Sequence, residues 1–497
     1  MNDTFFFNTD QNNYLYSLNK RQVIIVTPLI EKIFDIVKDD RKISLIEVKS
    51  KLNKETNFSD EEIEYSLSKF FLLRNNGFFE ELETYNIVNK RLSLSDIEYS
   101  LANLKSICFE VTDRCNLNCT YCAYSDFYKD YDERTGKLLS EAVALNALKY
   151  VLKYLKSGKN SSSEDHSLNI AFYGGEPTLN VEVIRAVINY VADNDIKVHY
   201  TMTTNSVLLK KYIKLFVENN FNLLISLDGE EKNNVYRNFF NGKNSFNKIY
   251  KNLIYVKRNY PEFFNNNISF NCVLNGTSNI IEINRFFKKE FGKLPQYSEI
   301  SRVGVDKNKI EEFNKVFKSK NDCFDNLAWN QKKETLDAPE RIKSMKFLFN
   351  YSNNFYNEFI QIGNNHNKKR KLPTGTCLPF DRKFYVSVNG KILPCQMIDQ
   401  KYYYGKINNE LVDLDLSHTA DVTNKMYDKL KDQCEKCYNL ITCGSCIYTN
   451  LIENGDKIYC ANFTSHSSFI NDLTRNFSVL ESHPELYDEI VSEAILR

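Results

Sequence analysis

Apolar and polar positions follow two different rhythms along this chain, and the change falls near residue 100. Before it, Tyr14-Leu-Tyr-Ser-Leu and Gln22-Val-Ile-Ile-Val flank a polar Asn19-Lys20-Arg21 turn, which predicts a hairpin. Thr27-Pro28 supplies an N-cap followed by proline at the first helical position, and Leu29, Ile30, Ile33 and Val37 follow at helical spacing. Ser59-Asp-Glu-Glu62 is a capping box, behind which Ile63, Leu67, Phe70 and Phe71 share one helix face that closes at Asn75-Asn76-Gly77. A hairpin with three short helices predicts a winged-helix-like α+β module over residues 1–97.

After the change, apolar strands alternate with amphipathic helices. The strands are expected at Ser106–Thr112, Leu168–Tyr173, Lys197–Thr204, Asn222–Leu227, Ile268–Leu274 and, with the weakest pattern, Tyr297–Val305. Between the first two, Ala144, Leu145, Leu148, Val151, Leu152 and Leu155 form a helical stripe ending before Gly158. Such alternation implies parallel strands, and six units predict a partial (β/α)6 TIM-like barrel over residues 104–314. Barrels of this kind do their chemistry at the C-terminal strand ends. Residues 315–372 read as a helical linker with a mobile tip near Asn364–Lys371, residues 373–465 as a cysteine- and glycine-dense domain, and residues 466–497 as a helical tail.

Composition narrows the function classes. A chain of 497 residues implies two to four domains, and 42% hydrophobic with 26% charged residues describes a globular protein. A net charge of +1 attracts neither nucleic acid nor an anionic membrane. The N-terminus lacks a basic region followed by an apolar stretch, so a cytoplasmic location is expected. Thirteen cysteines there imply metal ligation rather than disulfides.

Three of those cysteines, Cys115, Cys119 and Cys122, fall just past the end of the first barrel strand in the spacing CxxxCxxC. This gathers three thiolates on one loop and leaves a bound iron-sulfur cube one protein ligand short, open to a small molecule that can receive an electron. Zinc knuckles and buried cysteines are the bland alternatives for so short a motif. The run, with Tyr121 before its third cysteine, resembles the signature of the radical S-adenosylmethionine (SAM) superfamily. The resemblance implies a 4Fe-4S cluster whose free iron chelates SAM, and cleavage to methionine and a 5'-deoxyadenosyl radical that takes hydrogen from substrate. Gly174-Gly175-Glu176-Pro177 after the second strand resembles the family's GGEP motif, whose glutamate and backbone contact the SAM amino group. Thr203 and Asn205 after the third strand are similar to its ribose-contacting segment, and Ser226, Asp228 and Arg237 to a block in which serine and arginine hold the SAM carboxylate. Strand-end turn chemistry is the simpler account of Thr203, Asn205 and Asp228, and Asn271 carries less signal still.

A second group runs as Cys377-x12-Gly390-x4-Cys395, then CxxC-x5-CxxC through Cys434, Cys437, Cys443 and Cys446, then Cys460. It resembles the SPASM iron-sulfur domain of radical SAM enzymes that modify peptides and proteins, which implies two auxiliary 4Fe-4S clusters. Carried over, Cys434, Cys437, Cys443 and Cys460 complete one, while Cys377, Cys395 and Cys446 bind the other. Two residues between Cys443 and Cys446 depart from the usual three, and no cysteine stands shortly upstream of Cys377. The second auxiliary cluster is therefore left with an open iron, His366 or the distant Cys323. Structural zinc also uses paired CxxC knuckles, but five residues between them is short for a ribbon and leaves three cysteines unused. Cys108 and Cys272 fall on strands as buried apolar residues.

The N-terminal module resembles the precursor recognition element of maturases that act on ribosomally made peptides, which binds a leader by adding it as a strand to a sheet edge. DNA binding is disfavoured because Lys20, Arg21 and Lys51 are offset by Glu47, Glu55 and the acidic Asp60–Glu64. Gln396 stands where sulfatase-maturing relatives place a general-base aspartate, although Asp381 is another carboxylate nearby. The resulting expectation is a radical SAM peptide maturase that holds a precursor by its leader and closes an intramolecular thioether or carbon-carbon crosslink, with an external flavodoxin- or ferredoxin-type electron donor. A sulfatase-maturase-like or peptide-epimerising enzyme, and a non-enzymatic zinc scaffold, are the alternatives. Bond type and precursor sequence stay open.

Overall fold

The computed structural model describes residues 3–495 apart from 39–42, 56–57, 82–84, 129–133, 158–166, 303, 326, 334, 336–337, 352–371 and 455–456. Both His366 and the tip at Asn364–Lys371 lie outside the described residues.

The N-terminal hairpin supplies the centre and one edge of a three-stranded antiparallel sheet, β1 (Thr4–Asn8), β2 (Asn13–Ser17) and β3 (Gln22–Ile25), with β1 at the other edge. Three adjacent phenylalanines hide the alternation of β1, whose Phe5 and Phe7 face one side while Phe6 faces the other. Helices Pro28–Val37, Leu45–Glu55 and Asp60–Asn75 cover that second face through Ile30, Ile33, Val48, Ile63 and Phe70. Ser59 and Glu62 form the reciprocal capping box at the start of the third helix. The first face packs on helices Pro339–Tyr351, His466–Ser482 and Glu485–Ile495, where Phe5, Phe7, Tyr14 and Tyr16 meet Phe347, Phe469, Leu473, Leu486 and Ile490. With both faces covered, only the sheet edges remain open.

The second region is built on β4 (Ser106–Thr112), a two-residue β5 (Asn118–Cys119), β6 (Leu168–Gly174), β7 (Val198–Thr204), β8 (Asn222–Ser226), a two-residue β9 (Arg237–Asn238), β10 (Ile268–Leu274) and β11 (Gln296–Glu299). Six of these, β4, β6, β7, β8, β10 and β11, are neighbours in chain order and pair in parallel, forming an open partial barrel. Its strands are buried because helices such as Glu141–Ser157, Val181–Asp193 and Ile280–Phe291 lay apolar stripes over them. The sixth strand ends at Glu299, six residues short of the expected Val305, because the chain leaves the sheet there: Ser301 accepts from the Tyr128 hydroxyl at 2.7 Å, and Val305 bridges to Tyr128.

The sheet does not stop at the barrel. β12 (Phe384–Val386) pairs in parallel with β4, and β13 (Lys391–Leu393), β14 (Gly405–Ile407) and β15 (Val412–Leu414) extend it antiparallel to ten strands. A separate ribbon, β16 (Leu451–Asn454) with β17 (Lys457–Cys460), carries the last cysteine. No described helix is long and apolar enough to cross a membrane.

Candidate active site

The loop after β4 is held against the next strand end by glycine. A β-carbon at Gly174, where φ is +128°, would lie 2.2 Å from the Thr112 carbonyl oxygen, and one at Gly175 would lie 2.1 Å from that of Arg114. No side chain fits there. The backbone amides of Gly175 and Glu176 donate to those two carbonyls at 2.8 Å each, so the cysteine loop begins from a fixed platform. β5 then pairs with β9, which sets Cys119 opposite Arg237.

Cys115, Cys119 and Cys122 line a cavity of about 270 Å³ at the C-terminal ends of the parallel strands, together with Tyr121, Gly174, Gly175, Thr203, Asn205, Ser226, Asn271 and Arg237. Three other residues singled out from sequence do not line it. Glu176 is fully buried behind the wall, where its carboxylate accepts from Thr178 N and Oγ1, from Thr204 Oγ1 at 2.8 Å and from Asn205 N at 2.7 Å. It thus braces two strand ends, with three of its hydrogen bonds on Oε1 and one on Oε2. Pro177 opens the short turn after it. Asp228 is fully buried too, accepting from the Tyr121 hydroxyl and from Val273 N at 3.1 Å, with Arg237 Nη1 4.0 Å away.

The cavity wall also includes Tyr124, Tyr128, Tyr173, Val273, Glu299, Ile300, Ser301 and Met397, which the sequence reading did not single out. Their common signal is position at or next to the C-terminal end of a strand, or a few residues after a motif cysteine. Gln396 lines the cavity as well, and its Oε1 accepts from Lys383 Nζ at 2.8 Å. Lysine only donates, so this bond fixes the amide with its oxygen on Lys383 and its NH2 turned away.

The thiols suit a cluster. Cys115 Sγ accepts from Leu117 N at 3.4 Å and Asn205 Nδ2 at 3.6 Å, and Cys122 Sγ from Arg134 Nη2 at 3.6 Å. Burial pushes the Cys119 thiol up to about 12, with Arg237 opposing, and a bound cation would favour its thiolate. Cys434 shows the same rise to about 12, and it lies within electrostatic reach of Cys443, Cys437 and Cys460. These line a second space with Cys446, among Leu430, Leu440, Ile447 and Leu451 and without a charged side chain. Cys395 has Cys446 and Cys377 as its thiol neighbours. Cys323 is buried near Cys272 on the barrel side, away from that trio. Among the described residues no three His, Cys, Asp or Glu side chains converge as a single-metal site.

Residues 109–287 match the Radical SAM superfamily. The cysteine-type anaerobic sulfatase-maturating enzyme of Clostridium novyi (strain NT) is 26% identical over 380 residues, covering 73% of this chain and 94% of that protein. The radical SAM cyclopropyl synthase TigE of Paramaledivibacter caminithermalis is 26% identical over 230 residues, 45% of each chain. The solved structure described as "Native anSMEcpe with bound AdoMet and Kp18Cys peptide" shares the fold at 19% identity, with a TM-score of 0.51 over 78% of this chain and 98% of that one.

Proposed function

From the premise that this chain carries a radical SAM domain and is related to anaerobic sulfatase-maturating enzymes, we propose that it is a peptide maturase. It binds a ribosomally made precursor through its leader and closes an intramolecular thioether or carbon-carbon bond in the core peptide. The observation that carries this reading is the convergence of Cys115, Cys119 and Cys122 with Ser226, Arg237 and Gln396 on one cavity at the barrel mouth. Cys115, Cys119 and Cys122 would hold a 4Fe-4S cluster, which when reduced would supply the electron for SAM cleavage and hydrogen abstraction.

The chain's own residues do the positioning. The buried Arg237 guanidinium is suited to a carboxylate, and Thr203, Asn205 and Ser226 offer strand-end polar groups beside it. Tyr121 fixes Arg237 by accepting from its Nη1 at 2.9 Å while donating to Asp228. The Cys434, Cys437, Cys443, Cys460 and Cys377, Cys395, Cys446 sets would hold two auxiliary clusters, which would offer a place for the electron released on product formation, and a flavodoxin- or ferredoxin-type donor would supply the first one. The leader is read at β3, the free edge of the N-terminal sheet, where Ile25 is 56% exposed and Leu72 of the neighbouring helix 62%.

Sulfatase-type maturation is the second reading, favoured by the 94% coverage of the Clostridium novyi enzyme. Against it stands Gln396, which offers an N–H donor where that chemistry needs a base. Anaerobically reconstituted protein, given SAM, a reductant and the candidate precursor, is expected to release 5'-deoxyadenosine and return a peptide lighter by one pair of hydrogens. An aldehyde in place of a cysteine would establish the second reading. Zinc without iron or sulfide, and no SAM cleavage, would leave only a metal scaffold.

A further inference from the structure

Two guanidinium groups act on the three loop cysteines, and their charges are spent differently. Arg237 favours the thiolate of Cys119, yet it also serves Tyr121 at 2.9 Å and Asp228 at 4.0 Å. Arg134 donates from Nη2 to Cys122 Sγ at 3.6 Å and favours the thiolate of Cys115. Among the described residues no carboxylate pairs with Arg134, and its buried Nε has no hydrogen-bond partner. Among those residues the hydrogen bond of its guanidinium goes to sulfur.

The placement is built. The Arg134 guanidinium lies over the Tyr124 ring, 4.1 Å from its centroid. That ring is pinned in turn, because the Tyr124 hydroxyl donates to Glu110, and Glu110 also accepts from Val388 N at 2.9 Å. Glu110 is fully buried on β4, and Val388 follows β12. A chain of contacts thus runs from the β12 turn through Glu110 and Tyr124 to Arg134 and the sulfur of Cys122, with the aromatic ring standing between the cation and the carboxylate.

We propose that Arg134 sets the reduction potential of the cluster held by Cys115, Cys119 and Cys122, and that Tyr124 positions it for that task. The inference rests on the reading of those thiols as cluster ligands. Reduction adds negative charge to a centre already surrounded by thiolates. A cation that places an N–H donor at the ligand sulfur favours the reduced state over the oxidised one and so raises the potential. The effect is large where burial keeps water from screening it.

The test is potentiometric titration of the reconstituted enzyme, followed by the electron paramagnetic resonance signal that disappears in the Cys115→Ala/Cys119→Ala/Cys122→Ala variant. Poised at the wild-type midpoint, Arg134→Met is expected to show the ratio of reduced to oxidised cluster falling roughly tenfold. Arg134→Lys keeps the charge without the planar fork and falls between the two. Tyr124→Phe keeps the ring but frees it from Glu110, and moves the midpoint in the same direction as Arg134→Met. Midpoints equal to wild type in Arg134→Lys and Tyr124→Phe, with iron and sulfide content unchanged, overturn the inference even if Arg134→Met fails to take up a cluster. A wild-type protein without that signal would instead sink the ligand assignment itself.

Discussion

Glu176 shows how far one side chain can differ from its motif. Glutamate beside two glycines reads in sequence as a contact to an ammonium group, but here both oxygens brace the ends of β6 and β7. Thr204 and the Asn205 amide at the end of a strand tens of residues away decide this together with the nearby Thr178, and no local pattern announces the distant pair. Replacing Glu176 with Gln sets an NH2 against donors and should cost about 2–3 kcal/mol of stability, measured by thermal unfolding, with weaker SAM affinity following from the displaced glycines. Wild-type stability in that variant would rule out the brace. Gln396 was legible as a departure from a base, but its orientation was not, because Lys383 is thirteen residues upstream on the other side of a hairpin. Gln396→Ala should leave SAM cleavage intact and lower kcat/KM for the peptide about tenfold, the loss of one hydrogen bond to substrate.

At the scale of elements, the parallel strands were readable because each is a short apolar run between helical stripes. β1 was not, since a run of three phenylalanines has no visible alternation, and β11 was overread because apolar residues continue after the sheet ends. The open edge at β3 gives a prediction of its own. Ile25→Asp with Leu72→Glu should abolish selective turnover of the leader-bearing precursor while leaving 5'-deoxyadenosine formation unchanged, as judged by comparing full precursor with leaderless core peptide. Equal turnover of both peptides by the wild type would remove the leader role. Point changes are preferable to deleting residues 1–97, which would strip the cover from Phe469, Leu473 and Leu486.

Across the whole molecule, the N-terminal sheet and the auxiliary thiols are one packed unit. Phe5 lies 5.3 Å from the Tyr438 ring, and Tyr438 is the residue after Cys437. Phe5→Ala should cost about 3–5 kcal/mol, seen in thermal melts, and lower iron retention at the Cys434 set. A second contact of the sheet, Asn12 and Tyr14 with Glu481, has a pH signature. Burial disfavours the charge of Glu481, but bonds from Asn12 and Tyr14 outweigh it and hold the carboxyl below its usual 4.5. A depressed carboxyl stabilises the docked state above that value and loses the contribution as pH falls through the lowered one. Hydrogen exchange of β1 and β2 should therefore quicken below about pH 4.5 in the wild type and stay level in Glu481→Gln.

The pairing of Phe384, Tyr385 and Val386 with Ile107, Cys108 and Phe109 makes the barrel and the auxiliary region a single hydrogen-bonded fabric. Nothing can swing apart along that seam without tearing backbone bonds. If the proposed peptide chemistry holds, its substrate meets the cavity walled by Met397 and Glu299 without that seam parting, and admission depends on the shape of the mouth rather than on jaws that open.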